Sequence, residues 1–196
     1  MKSQMKHRFS EVPSVDIPRS RFNRSHSVKT TFDAGWLVPI LIDEALPGDT
    51  FRCEMAGFAR LSTPIFPIMD NMVMDTFFFA VPVRILWDNW KKFMGEQDIP
   101  GDSVDFVIPQ IDLTNVLVGQ MADYMGIPIG YTGQVSALPF RAYNLVFNEW
   151  FRDQNLVNSV TVNLDDGPDA ESDYAIRRRG KRHDYFTSCL PWPQKG

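Results

Sequence analysis

The chain has 196 residues, 44% of them hydrophobic and 22% charged, which suits a folded body and excludes a disordered polypeptide. No run of about 18 apolar residues occurs, which excludes a transmembrane helix, and the charged N-terminus lacks the apolar stretch of a signal peptide. The net charge of −4 hides an asymmetry, because residues 1–29 set seven Lys/Arg against Glu11 and Asp16, residues 30–176 set seven against 21 acids, and residues 177–196 set six against Asp184.

Residues 1–28 read as an extended basic arm. Pro13 and Pro18 interrupt any helix, and Arg19, Arg21 and Arg24 alternate with Ser, Phe and Asn. A basic arm ahead of an acidic body is a pattern of proteins that touch nucleic acid with a tail. The candidate contacts are Lys2, Lys6, Arg8, Arg19, Arg21 and Arg24.

Residues 29–196 read as a body of short strands and long shaped loops, since 14 Pro and 15 Phe argue against a helical bundle. Residues 36–42 form a short apolar run that Pro39 demotes to an edge or bulged strand. Pro47-Gly48-Asp49 is a turn signal. Residues 51–55 alternate apolar and charged, the mark of a half-buried strand, and the pattern continues through Phe58 and Arg60. Residues 72–81 are apolar on both faces, which predicts a strand lying between two layers.

Two helices are expected. Residues 84–94 place Leu86, Trp87, Trp90, Phe93 and Met94 on one face and stop at Gly95. Residues 140–156 place Phe140, Tyr143, Val146, Phe147, Trp150 and Phe151 on an apolar stripe, with Arg141, Asn144, Asn148, Glu149 and Arg152 on the other face. The Gly- and Pro-rich residues 95–138 between them read mainly as loop, and weak strands are expected at 104–108, within this stretch, and at 160–164, beyond the second helix. Trp36, Trp87, Trp90 and Trp150 are assigned to packing rather than to base stacking.

Chemistry is sparse. No phosphate-binding glycine loop, nucleophile elbow or His/Cys metal motif occurs, and no catalytic, cofactor or metal residues are assigned. Cys53 and Cys189 lie too far apart for a framework and read as free thiols, and His183 near Cys189 is a weak hint of a cysteine hydrolase. Asp165, Asp166, Asp169, Glu171 and Asp173 read as a solvated acidic turn, with calcium binding the less favoured use. Arg177, Arg178, Arg179, Lys181 and Arg182 form the sharpest local feature. They suit ion pairing, within the chain or across a subunit interface, or contact with phosphate.

Several blocks together resemble one family. They are residues 28–39 (VKTTFDAGWLVP), 43–51 (DEALPGDTF), 74–82 (MDTFFFAVP) with Trp87-Asp88-Asn89-Trp90, 138–144 (LPFRAYN), 148–156 (NEWFRDQNL) and 182–196 (RHDYFTSCLPWPQKG). In this order they resemble the capsid protein of microviruses, most closely the gokushovirus branch. The resemblance implies a mainly β viral jelly-roll sandwich with long loop insertions and two or more short helices. It implies self-assembly into a T=1 icosahedral shell around circular single-stranded DNA, with no catalysis and no cofactor. The implied partners are further copies of the capsid protein, the packaged DNA, internal scaffolding proteins and minor DNA-pilot proteins, with no membrane. The implied location is the virion, assembled in the bacterial host cytoplasm. Members of the family continue beyond the Pro191-Trp192-Pro193 block, so the chain is expected to hold the N-terminal part of an incomplete jelly roll. A carbohydrate-binding β-sandwich is the alternative, because it also uses exposed aromatics and acidic loops.

Overall fold

The computed structural model describes residues 18–180. Lys2, Lys6, Arg8, Lys181, Arg182, His183 and Cys189 lie outside the described residues.

The ordered centre is built where a loop is expected, within residues 109–176. Strand β1, Gln110–Leu113, pairs antiparallel with β2, Gly133–Ser136, in the register Ile111 opposite Val135 and Leu113 opposite Gly133. The pleat sends Ile111 and Leu113 inward and Asp112 outward, so two residues of a four-residue strand supply core. They meet Val116, Met121, Ala122, Ala137, Phe140 and Tyr174 in one buried cluster. The short helix Met121–Tyr124 supplies two of these. The longest helix, Leu138–Val146, supplies Phe140 and has proline in its first turn, where the missing N–H costs no bond.

The expected helix over 140–156 begins two residues earlier and changes pitch. After Val146 it widens to a π-helical turn, Phe147–Phe151, and Arg152 is already extended. Its faces also differ from expectation. Arg141 and Asn144 are fully buried and Asn148 nearly so, while Trp150 is 64% exposed. The polar residues are inside because a neighbouring segment brings unpaired backbone groups to them. Asn144 donates to the Thr161 and Asp173 carbonyls, and Asn148 exchanges two hydrogen bonds with Val160. Side-chain amides thus satisfy a segment for which the sequence suggests a strand ladder at 160–164.

The expected helix over 84–94 is instead two separate turns, a 3-10 turn at Val83–Ile85 and a short helix, Trp90–Phe93. The break arises because Leu86 and Trp87 are drawn inward between them, at 2% and 1% exposure. Gly95 ends the second turn at φ +86°, as a left-handed stop should. Trp87, Trp90, Phe93 and Phe106 form one aromatic group with ring centroids 5.4–6.3 Å apart.

Residues 51–60 and 72–80 do not form the strands that their patterns predict. Both are exposed and without regular structure, and among the described residues no backbone hydrogen bond ties them to another segment. Alternation makes a chain extended, but a strand also needs a partner edge. Residues 36–42 form one antiparallel bridge, Trp36 with Arg178, and residues 104–108 have no regular structure. The described residues therefore hold a small antiparallel sheet, short helices and much chain without regular structure, compatible with a mainly β viral capsid protein.

Candidate assembly surface and its anchor

The tightest site in the chain is a buried polar knot. Arg141 Nε and Nη2 donate to Asp169 Oδ2 and Oδ1 at 2.7 and 2.6 Å, the bidentate fork that a guanidinium makes with a carboxylate. Arg141 Nη1 donates to the Leu86 and Asp165 carbonyls, and the Tyr174 hydroxyl donates to Asp169. One arginine on the long helix thereby joins the Leu86 loop, the acidic segment and the Tyr174 segment.

Asp169 is 4% exposed, which corrects its reading as part of a solvated turn, while the Asp165 side chain stays 78% exposed. Burial alone raises its pKa. The Arg141 and Tyr174 hydrogen bonds and the Arg141 charge outweigh this and hold the carboxyl below its ordinary value. Tyr174 moves the other way, since burial and the adjacent Asp169 push its phenol well up. Gly167, at φ +74°, gives the segment its bend, and a Cβ there would stand 3.3 Å from the Asp169 backbone nitrogen.

Asp166 makes a second, more open knot. It accepts from Trp87 Nε1 at 2.7 Å, Asn89 Nδ2 at 2.8 Å and the Val107 N–H at 3.1 Å. Burial opposes ionisation here too, but these three donors and the Lys92 charge prevail and lower the pKa. The two aspartates tie the Trp87 aromatic group to the sheet and the long helix.

The described arginines of the run, Arg177, Arg178 and Arg179, are engaged within their own chain. Leu37 N–H donates to the Arg177 carbonyl and Arg179 N–H to the Gly35 carbonyl, at 2.9 and 2.7 Å. The Tyr143 hydroxyl sits at the centre of this clasp, accepting from Arg177 N–H and donating to the Leu37 carbonyl, both at 2.9 Å. Arg178 lies 5.9 Å from the Trp36 ring centroid. Arg179 pairs with Asp75 at 2.5 Å and stacks 5.2 Å over Phe77. No local pattern pairs this run with Asp75, 104 positions before Arg179.

The described part of the arm is exposed throughout. Arg19 donates to the Gly48 carbonyl at 2.9 Å, and Arg24 pairs with Asp43 at 2.6 Å. Such exposed pairs contribute about 0.2–1 kcal/mol, so they position the arm weakly. Arg21 has no ion pair among the described residues, and the adjacent Phe22 is 81% exposed.

The chain's most conspicuous surface is apolar. Phe58, Ile65, Phe66 and Met69 are 79–97% exposed, and Phe77, Phe78, Phe79 and Trp150 are 40–64% exposed. Phe79 lies edge-on to Trp150 at 6.0 Å and to Phe151 at 5.8 Å. Of the four tryptophans assigned to packing, Trp87 is buried, Trp36 and Trp90 are partly buried, and Trp150 stands out. Contiguous exposed apolar surface of this extent is uncommon on a monomeric soluble protein.

Comparison with known proteins is consistent with that surface. Residues 10–196 match the family described as Capsid protein (F protein). The chain is 51% identical over 193 residues to Capsid protein VP1 of Bdellovibrio phage phiMH2K, covering 97% of this chain and 36% of that protein. It is 44% identical over 220 residues to Capsid protein VP1 of Chlamydia phage 1, and 37% identical over 206 residues to that of Spiroplasma virus 4. In each case nearly all of this chain is covered, but it spans only 36–37% of the relative's length.

Proposed function

The chain belongs to the phage capsid protein (F protein) family, as its resemblance to gokushovirus capsid proteins implied, and from that premise we propose that it serves in a self-assembling T=1 icosahedral shell around circular single-stranded DNA. The observation that carries the proposal is similarity to proteins named Capsid protein VP1 along 97–99% of the chain. The large exposed apolar surface supports it, since a shell works through repeated interfaces rather than through a pocket. The role is structural, and the family offers no support for the carbohydrate-binding alternative.

The finer fold is a viral jelly roll. In this reading residues 51–60 and 72–81, unpaired among the described residues, join its sheets only where partner strands pair with them, and the knotted unit around Arg141 and Asp169 is a large insertion between strands. The patterns support this, because alternation over 51–55 and two apolar faces over 72–81 are what sheet positions require.

In the assembled particle the arm, residues 1–28, faces DNA through Lys2, Lys6, Arg8, Arg19, Arg21 and Arg24. Arg177, Arg178 and Arg179 act first as the internal clasp, while Lys181 and Arg182 contact phosphate or a neighbouring subunit. Internal scaffolding and DNA-pilot proteins take part, and assembly in the bacterial host cytoplasm yields the virion.

Electron microscopy of the expressed capsid protein, with nuclease protection of the DNA it encloses, tests the reading. Uniform small particles protecting single-stranded DNA are expected. A protein that stays monomeric at high concentration and protects no DNA overturns it.

A further inference from the structure

Residues 75–79 are docked on the end of the long helix by their side chains. Alternate residues do the holding. Asp75 pairs with Arg179 at 2.5 Å, Phe77 lies edge-on to Phe151 at 5.3 Å, and Phe79 meets Phe151 at 5.8 Å and Trp150 at 6.0 Å. Phe78, between the two docked rings, is 61% exposed, against 40% for Phe77 and 43% for Phe79. Among the described residues no backbone hydrogen bond ties residues 76–80 to another segment. A segment held in this way can leave without breaking a ladder.

Arg179 closes the contact from the other side. Its guanidinium lies 5.2 Å from the Phe77 ring centroid and 6.0 Å from that of Phe151 while it pairs with Asp75. Its backbone N–H donates to the Gly35 carbonyl at 2.7 Å. One residue therefore belongs both to the docked segment and to the clasp between residues 35–37 and 177–179. The Arg179 and Asp75 side chains are 35% and 26% exposed, so salt reaches this pair, whereas it does not reach the buried Arg141–Asp169 pair.

We propose that residues 75–79 form a strap, that Arg179 latches it onto the π-helical turn Phe147–Phe151, and that the latch holds only while the clasp is closed. Opening the strap leaves the buried cluster around Ile111 and Phe140 intact, because no strap residue belongs to that cluster. It uncovers Phe77 and Phe79 together with the backbone of residues 76–80, the two things a pairing strand presents. The device thus sets when this segment becomes available. Arginine suits the task better than lysine, because a planar guanidinium can lie on a ring and pair with a carboxylate at once. The inference stands on these contacts and does not depend on the capsid reading.

The test uses the full 196-residue chain with Cys53 and Cys189 replaced by Ser. Spin labels are placed through Phe78→Cys, on the outer side of the strap, and Asp112→Cys, on the outward face of β1. Pulsed electron resonance then reads the distance between them. One dominant distance is expected in the parent. Arg179→Gln is expected to raise the share of a second, longer distance about two- to fivefold, the weight of one exposed cation–π contact, with Arg179→Lys in between. Tyr143→Phe, which loosens the clasp, is expected to act in the same direction. Raising salt from about 0.01 M to about 1 M, which shortens the screening length from about 30 to about 3 Å, is expected to open the parent but to leave Arg179→Gln unchanged. Circular dichroism checks that each variant is folded, and if Arg179→Gln is not, the salt titration of the parent decides alone. A distance distribution that salt and Arg179→Gln both leave unchanged overturns the latch. A distribution widened by Arg179→Gln and left narrow by Tyr143→Phe overturns its coupling to the clasp.

Discussion

Arg141 and Asp169 face each other with both side chains at 0% exposure, 28 residues apart in sequence and 2.6 Å apart in space. The pair is satisfied on every side, by the Leu86 and Asp165 carbonyls around the guanidinium and by Tyr174 on the carboxylate. It therefore works as a keystone for three segments, and removing either partner leaves a buried charge unpaired.

Asp169→Asn is expected to destabilise the chain by about 3–5 kcal/mol, the range for breaking a buried pair from one side. Urea unfolding followed by Trp fluorescence measures this. By contrast, Asp43→Asn, which breaks an exposed pair, should cost no more than about 1 kcal/mol. Equal costs for the two variants would contradict the keystone role.

Stability should fall in acid. Asp169 and Asp166 both have pKa values lowered on folding. Their contribution is fully present above the unfolded aspartate value of about 3.9 and is lost as the pH drops through the lower folded values. Melting temperature followed from neutral pH into strong acid should be flat in this respect down to about pH 4 and then decline. Asp169→Asn should flatten part of the decline, because the titrating group is gone.

Tyr143→Phe removes one hydroxyl that serves two backbone groups, the Arg177 N–H and the Leu37 carbonyl. Leaving them unpaired should cost about 1–3 kcal/mol and loosen the clasp between residues 35–37 and 177–179. Limited proteolysis with mass mapping should show faster cutting near Leu37. Cutting rates that stay unchanged would place the hold elsewhere, at Trp36 and Arg178.

Replacing Arg19, Arg21 and Arg24 by Gln should weaken single-stranded DNA binding and flatten its dependence on salt. Every phosphate that the arm no longer neutralises lowers the slope of log affinity against log salt by about 0.7. Fluorescence anisotropy with an oligonucleotide, titrated from about 50 to about 300 mM salt, reads the slope directly, because screening of exposed charges strengthens steadily over that range. An unchanged slope would remove these three residues from the DNA interface.

Local pattern was readable where local physics decides. Gly95 as a helix stop follows from backbone freedom, and the inward Leu86 and Trp87 follow from hydrophobicity. The long helix near Phe140 is legible from its apolar spacing. Its polar face was not legible. Arg141, Asn144 and Asn148 go inside because Asp169, Thr161 and Val160 come to meet them, and no spacing rule announces partners that far along the chain. The core pair β1 and β2 escaped for a similar reason. Each strand is four residues long, too short for alternation to stand out among glycines and prolines.

By itself the sequence determined the family, because many ordered residue blocks together are far more specific than any motif, and it located the long helix near Phe140. Only the tertiary structure decided where charge is buried and where rings are exposed. Burial is a relation between segments: Asp169 is inside because Arg141 neutralises it there, and Trp150 is outside because a π-helical turn rotates it away from the stripe it would otherwise join.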